Sequence, residues 1–193
     1  SLHDALPICI LAYLSACAGR QLDVNHQVYQ SESDTGHRNR AIGWMLRNFG
    51  ILDEDPDETL ETYFQQCSLL VTCADLAMMG ATLANQGVNP LTGERAIAHD
   101  CVDNVLGVMA SCGMYDWSGE WIYRVGLPAK SGVGGGIMGA VNRQLGIGTF
   151  SPRLDAKGNS VRGLRVFKQL AEEFGLHAFE CTNFGSEFVR GLL

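Results

Sequence analysis

Apolar residues recur three and four positions apart through the first two-thirds of the chain and two apart in stretches beyond it, which predicts helices first and strands later. Cys9 to Ala18 is continuously apolar and reads as a buried helix. Ser31 to Arg40 is polar and by itself reads as a solvated loop leading into the next helix. That helix, Arg38 to Phe49, places Ile42, Met45, Leu46 and Phe49 on one face, and Gly50 stands where a helix stops. Asp55-Pro56-Asp57-Glu58 has the form of a helix start: a cap, a proline at the first position and acids in the first turn. The helix that follows lays Leu60, Tyr63, Phe64 and Cys67 along a stripe. Thr72 and Asp75 form a capping-box pattern opening Cys73 to Gln86, with Leu76, Met79 and Leu83 as its core face. Gly87 to Gly93 is a turn, and Glu94 to Ala110 a fourth helical stretch.

After Cys112 the pattern changes. Trp121, Tyr123, Val125 and Leu127 alternate as a half-buried strand does. Lys130 to Val141 is small, glycine-rich and apolar, which predicts an inner strand closely approached by another backbone. Asn142-Arg143-Gln144 turns into a third strand through Leu145, Ile147 and Thr149. Asn159-Ser160 then caps a last amphipathic helix bearing Leu164, Phe167, Leu170 and Phe174; from Cys181 onward no pattern is evident. Helices, a short antiparallel meander and a terminal helix make an α+β order. With no internal repeat or linker, one domain is expected.

Composition narrows the function classes. Hydrophobic residues make up 46% of the 193 and charged residues 18%, enough apolar surface for a core. The net charge of −7, with no Lys/Arg-rich run, argues against nucleic acid as a partner. Ala5 to Ala18 is apolar, and Leu14-Ser15-Ala16-Cys17 has the shape of a lipoprotein cleavage box. No Lys or Arg precedes Arg20, however, so the basic start of an export signal is lacking, and no apolar run reaches the ~18 residues of a spanning helix. A cytoplasmic protein without a membrane partner is expected. The seven cysteines include no Cys-x-x-Cys and no histidine at ligand spacing, which predicts reduced, mostly buried thiols and no metal site.

The densest chemical signal is Gly126-Leu127-Pro128-Ala129-Lys130-Ser131-Gly132-Val133-Gly134-Gly135-Gly136-Ile137. A phosphate-binding Walker loop needs a glycine before its Lys-Ser and a helix after it; Ala129 and strand-like residues stand there instead. Gly134-x-Gly136-x-x-Gly139 matches a dinucleotide loop only in spacing, with no helix to follow. A Lys-Ser-Gly strand edge flanking the nucleophile of a β-lactamase-type acyl-transfer enzyme fits better, and a glycine-rich strand needed only for packing stays open. Taken singly, Tyr63 reads as a core tyrosine on an apolar stripe and Tyr115 as a turn aromatic.

Together with their surroundings these segments resemble the serine-dependent glutaminase family. Pro128 to Ile137 is similar to that family's signature, and the remainder follows in the family's order: Val28-Tyr29 before Ser31-Glu32, Asn39 seven positions after Glu32, and then Arg40-Ala41-Ile42. Thr62-Tyr63-Phe64 leads into Cys67-Ser68-Leu69, Leu83 to Gly87 closes the long helix, and Met109 to Gly119 holds a Ser-Gly-Met-Tyr-like turn with Cys112 as a departure. Ser151-Pro152-x-Leu154-Asp155-x-x-Gly158-Asn159-Ser160 completes the match. The resemblance covers about residues 9 to 180, leaving 1–8 unmatched as foreign sequence at a truncation point and 181–193 as a tail.

The resemblance implies an α+β fold of the β-lactamase and penicillin-binding-protein type, its N-terminal strands missing, and hydrolysis of L-glutamine to L-glutamate and ammonia without metal or organic cofactor. It implies that Glu32 pairs with the substrate ammonium, that Asn39 and Tyr115 hydrogen-bond its amino-acid end, and that the Val133 N–H donates to the oxyanion. Tyr63 would exchange the catalytic proton, with Lys130 and Ser131 in support. A homo-oligomer, as a tetramer, is implied as well. Besides Cys112, the chain departs from the family in two respects: its lysines, Lys130, Lys157 and Lys168, are preceded three positions earlier by Leu127, Leu154 and Arg165, so it contains no nucleophilic Ser-x-x-Lys, and nothing before Glu32 matches the family's substrate-site asparagine, so the chain by itself is expected to be inactive. An amide hydrolase whose nucleophile lies elsewhere, a non-catalytic amino-acid-binding module and another serine acyl-transferase of the β-lactamase class therefore all stand as expectations.

Overall fold

The computed structural model describes residues 2–180, with side chains from Pro7 onward, so the tail from Cys181 lies outside the described residues. The described residues form two compact units: those up to Ser15 with Arg20–Val71, and Ala16–Gly19 with those from Thr72 to residue 180.

The first unit holds most of α1 (Leu2–Ala18), β1 (Asp23–Val24), α2 (His26–Thr35), α3 (His37–Asn48), α4 (Pro56–Cys67) and β2 (Leu69–Leu70). β1 and β2 pair antiparallel, Asp23 opposite Leu70. α1 is longer and less buried than the sequence suggests: Ile8 and Tyr13 face solvent, and only its last turns are covered. The polar stretch read as a loop is helical on both sides of Gly36. Asn25 starts α2 by accepting from the amides of Gln27 and Val28, a cap that lies ahead of the polar stretch. Gly36 itself is a contact point, since a Cβ there would stand 2.4 Å from the fully buried ring of Phe64.

The apolar face foreseen for α3 does not lie in a core. Ile42, Met45, Leu46 and Phe49 are 43%, 56%, 37% and 68% exposed. α3 rests on α4 through its opposite side, where Gly43 lets Pro56 and Leu60 approach the helix backbone. α4 begins as expected, Asp55 accepting from the Asp57 amide and Pro56 at the first position.

The second unit comprises α5 (Cys73–Ala84), α6 (His99–Cys112), a 3-10 turn (Tyr115–Trp117), α7 (Ser118–Arg124), β3 (Ala129–Ser131), β4 (Gly136–Val141), β5 (Leu145–Phe150) and α8 (Val161–Phe174). The strands form an antiparallel sheet in the order β3-β4-β5, Ser131 opposite Ile137 and Ile137 opposite Thr149. Lys130 to Val141 is thus two strands and a turn, not one strand. The stretch from Trp121 to Val125 is not a strand either. Trp121 and Val125 are four apart and fully buried on one side of α7, while Tyr123 is 81% exposed; alternation and helical spacing coincide over so short a run. The Trp121 indole donates to the Leu127 carbonyl at 2.6 Å and fixes the exit of α7.

Glycines explain how α5 seats on the sheet. A Cβ at Gly146 would meet the Ala77 carbonyl and the Ala81 nitrogen at 2.1 Å, and one at Gly148 the Cys73 carbonyl at 2.1 Å. The helix backbone therefore lies directly on β5. Thr72 and Asp75 form the expected capping box. Of the expected α5 core face Leu83 is buried and Leu76 and Met79 are half-buried. α8, capped by Ser160, buries Phe167 with Trp121, Leu127, Ile137 and Ile147, whereas Phe174 is exposed. Of the described thiols only Cys17 is buried; Cys9, Cys67, Cys73, Cys101 and Cys112 lie on outward helix faces or turns, contrary to the expectation of burial.

Candidate active site

Within the first unit Glu32 sits on α2 and Asn39 in the first turn of α3, both half-buried and on either side of the Gly36 corner. Phe64 organises this corner. The Arg40 guanidinium lies 5.4 Å from its ring centroid, donates to the Ser33 carbonyl at 2.7 Å and reaches Asp57 at 3.5 Å. Tyr63 is the neighbour of Phe64 on α4, their rings edge-on at 5.9 Å, and 44% of it faces solvent. Tyr63 is therefore not the core tyrosine its stripe suggests, since Phe64 alone carries that burial.

Within the second unit the structure brings Tyr115, Lys130, Ser131 and Val133 together. Tyr115 has a left-handed backbone, φ 54°, a costly conformation for a non-glycine residue. The Lys130 ammonium stands 4.7 Å from the centre of its ring and donates to the Ser131 carbonyl. Beside them Gly158, also left-handed, leaves room for a Cβ 3.7 Å from the Tyr115 ring and 3.8 Å from Val133 Cγ1, so the three share one wall. Val133 is the second residue of the β3–β4 turn, closed by the Gly135 amide donating to the Gly132 carbonyl. Among the described residues its own amide donates to no backbone carbonyl, which leaves it available to an outside acceptor.

Two residues not foreseen complete this group. Gly113 accepts the Ser131 amide at 2.9 Å, and a Cβ on it would lie 1.8 Å from the Ala129 carbonyl, so β3 and the Tyr115 turn touch backbone to backbone. Asn159 is fully buried and donates to the Met114 carbonyl. Ser131 Oγ, Thr149 Oγ1 and Asn159 Oδ1 are buried with no hydrogen-bond partner. Buried polar atoms are normally satisfied, so these three oxygens are exceptions within the second unit. Asn159-Ser160 reads as a helix start in sequence, and the only signal for the Asn159 role was that two capping residues stand where one suffices.

A model of the glutaminase family matches residues 8–179. The chain belongs to the glutaminase family. A glutaminase of Microcystis aeruginosa is 56% identical over 170 residues, which are 88% of this chain and 50% of that protein. The crystal structure of Mglu superposes with a TM-score of 0.85 at 46% identity, covering 88% of this chain and 43% of that one. Bacillus subtilis glutaminase, solved in covalent complex with 5-oxo-L-norleucine, matches with a TM-score of 0.83 at 36% identity over 88% of this chain and 60% of its own. This chain thus spans about half the length of the Microcystis relative. The neighbours place the fold in the α+β, β-lactamase-like class. Among the described residues no helix is long and apolar enough to cross a membrane.

Proposed function

We propose that the protein of which these residues form part hydrolyses L-glutamine to L-glutamate and ammonia through a glutamyl-serine intermediate. The reading is carried by one observation above the rest: on a chain of this family, the Lys130 ammonium stands over the Tyr115 ring and the outward Val133 amide lies in the turn beside them. Support comes also from Mglu, solved in a glutamate form, and from the norleucine adduct of the Bacillus enzyme.

In this mechanism a serine of a Ser-x-x-Lys segment, which the 193 residues do not contain, attacks the side-chain amide carbon. The Val133 N–H holds the developing oxyanion. The lysine of that segment helps to take the serine's proton, Tyr63 exchanges a proton with the serine or with the departing ammonia, and water then opens the glutamyl ester, its protons restoring the serine and the tyrosine as glutamate leaves. Glu32 binds the substrate ammonium as a charge-assisted pair, which selects a free amino acid over a peptide-bound one. Asn39 and Tyr115 hold the amino-acid end, and Lys130 and Ser131 support the site electrostatically. The protein acts in the cytoplasm and associates with copies of itself.

The test joins this chain to the N-terminal part of the Microcystis aeruginosa relative and measures ammonia release from L-glutamine. The 193-residue chain alone releases none. In the joined protein Tyr63→Phe lowers kcat by about 10²–10⁴-fold, and Glu32→Ala acts mainly on KM. Full activity in both variants defeats the assigned roles, and a folded but inert joined protein defeats the activity.

A further inference from the structure

Tyr115 keeps a left-handed backbone, φ 54°, a conformation that a large L side chain holds only where its neighbours over-determine it. Two buried side chains supply that hold, and they act on different peptide planes. The plane before the Tyr115 Cα carries the Met114 carbonyl, which accepts from Asn159 Nδ2 at 3.4 Å and from the Trp117 amide at 3.2 Å. The plane after it carries the Tyr115 carbonyl, which accepts from Ser118 Oγ at 2.8 Å. The same hydroxyl accepts the Met114 amide at 3.0 Å, so Ser118 ties the turn together across the strained residue. The orientations of these two planes are the φ and ψ of Tyr115, and once both are fixed so is the direction of its Cα–Cβ bond.

Neither residue is placed to touch a substrate. Ser118 is 5% exposed and Asn159 not at all. Asn159 is itself held through its backbone: its amide donates to Asp155 Oδ1 at 2.9 Å, and its carbonyl accepts the Asp155 amide at 2.8 Å. Its chain neighbour Gly158 lies beside the Tyr115 ring. The loop 155–159 thus braces the ring from one side and the start of α7 braces its backbone from the other, with the Lys130 ammonium 4.7 Å from the ring centre. Released from either hold, the backbone relaxes towards negative φ, and the ring leaves the lysine with it.

We infer that Asn159 and Ser118 are positioning residues for Tyr115, each holding one of the two peptide planes that aim its side chain. That role rests on the reading above, in which Tyr115 holds the amino-acid end of glutamine.

Two double-mutant cycles in the joined protein, read as KM and kcat for L-glutamine, provide the test. Tyr115→Phe raises KM about tenfold. Asn159→Ala and Ser118→Ala each raise KM about five- to tenfold with kcat within about threefold of wild type, and each adds less than about twofold in the Tyr115→Phe background. Ser118→Thr, which keeps the hydroxyl, restores the wild-type KM. General loosening behaves otherwise: Thr72→Ala, which weakens the cap of α5, lowers the melting temperature and leaves KM unchanged. Alanine effects that multiply in full with Tyr115→Phe, or a Ser118→Thr enzyme as impaired as Ser118→Ala, overturn the positioning role and leave the role of Tyr115 standing. An active enzyme in which Tyr115→Phe keeps the wild-type KM overturns both. If one alanine variant fails to fold, the other cycle decides; if both fail, the two side chains serve the scaffold and the inference is overturned.

Discussion

Gly113 and Gly107 lie on or just past the same helix, yet alanine should act on them with opposite signs. At Gly113 the backbone is ordinary, φ −69°, so conformational strain plays no part. Space decides. An alanine Cβ would stand 1.8 Å from the Ala129 carbonyl oxygen and 2.5 Å from that of Met109, and real contacts under 3.0 Å essentially do not occur. β3 must therefore retreat from the end of α6 by more than 1 Å, which breaks the 2.9 Å bond from the Ser131 amide to the Gly113 carbonyl. Overpacking of this kind costs about 1–3 kcal/mol, and the lost hydrogen bond about 1 kcal/mol more. Gly113→Ala should then lose roughly 2–4 kcal/mol and, for a chain of this size, on the order of 5–15 °C in Tm. At Gly107, inside α6, a Cβ meets nothing within 4 Å, so Gly107→Ala should gain about 0.5–1 kcal/mol from the helix preference for alanine. Urea unfolding followed by tryptophan fluorescence measures both. If Gly113→Ala unfolds within about 0.5 kcal/mol of wild type, the direct backbone seat of β3 on the Tyr115 turn is wrong.

Three further outcomes follow from the same contacts. Thr72→Ala removes the hydroxyl that accepts from the Asp75 amide at 3.2 Å, and chemical denaturation should show a loss of about 1 kcal/mol. Burial pushes the Cys17 thiol from 9.0 up to about 11, so the unfolded chain ionises it first; stability is intact below pH 9 and falls towards pH 11, by at most ~3 kcal/mol from this group. Cys17→Ser should flatten that alkaline slope in pH-dependent melting curves, and unchanged curves would count against the assignment. In the joined enzyme, Val133→Pro deletes the proposed oxyanion donor at a turn position that accommodates proline; kcat should fall about 10²–10³-fold with melting nearly unchanged.

How far the sequence disclosed the molecule depended on whether the deciding force was local. Asp55-Pro56 and Thr72 with Asp75 announced their helix starts because a cap is a contact between residues two or three apart. The third strand and the Ser160 cap were legible for the same reason. The outcome at Trp121 to Leu127 depended on a non-helical neighbour: only the indole bond to the Leu127 carbonyl and the burial of Val125 show which period governs. On α3 the stripe was real and the inference that it faces a core was not borne out among the described residues, since periodicity reports an apolar face and not what covers it. Of the candidate site, the Tyr115, Lys130, Ser131 and Val133 group was named in advance, through family resemblance. Gly113 and Asn159 were not, because their parts consist of a missing Cβ and an unsatisfied oxygen, which no spacing rule encodes.

The seat of α5 on β5 works as a vernier. Four residues of helix advance about 6 Å, and two residues of strand advance about 6.6 Å, so the step from Gly146 to Gly148 tracks the step from Ala77 to Cys73 with the chain directions opposed. The two scales drift by only ~0.6 Å per step, small enough for a contact this short and too large for a long one. Inserting or deleting one residue within either element throws the notches out of phase and drives a side chain into a carbonyl. Length variation among relatives should therefore avoid 73–84 and 145–150 and collect in the turns beyond them.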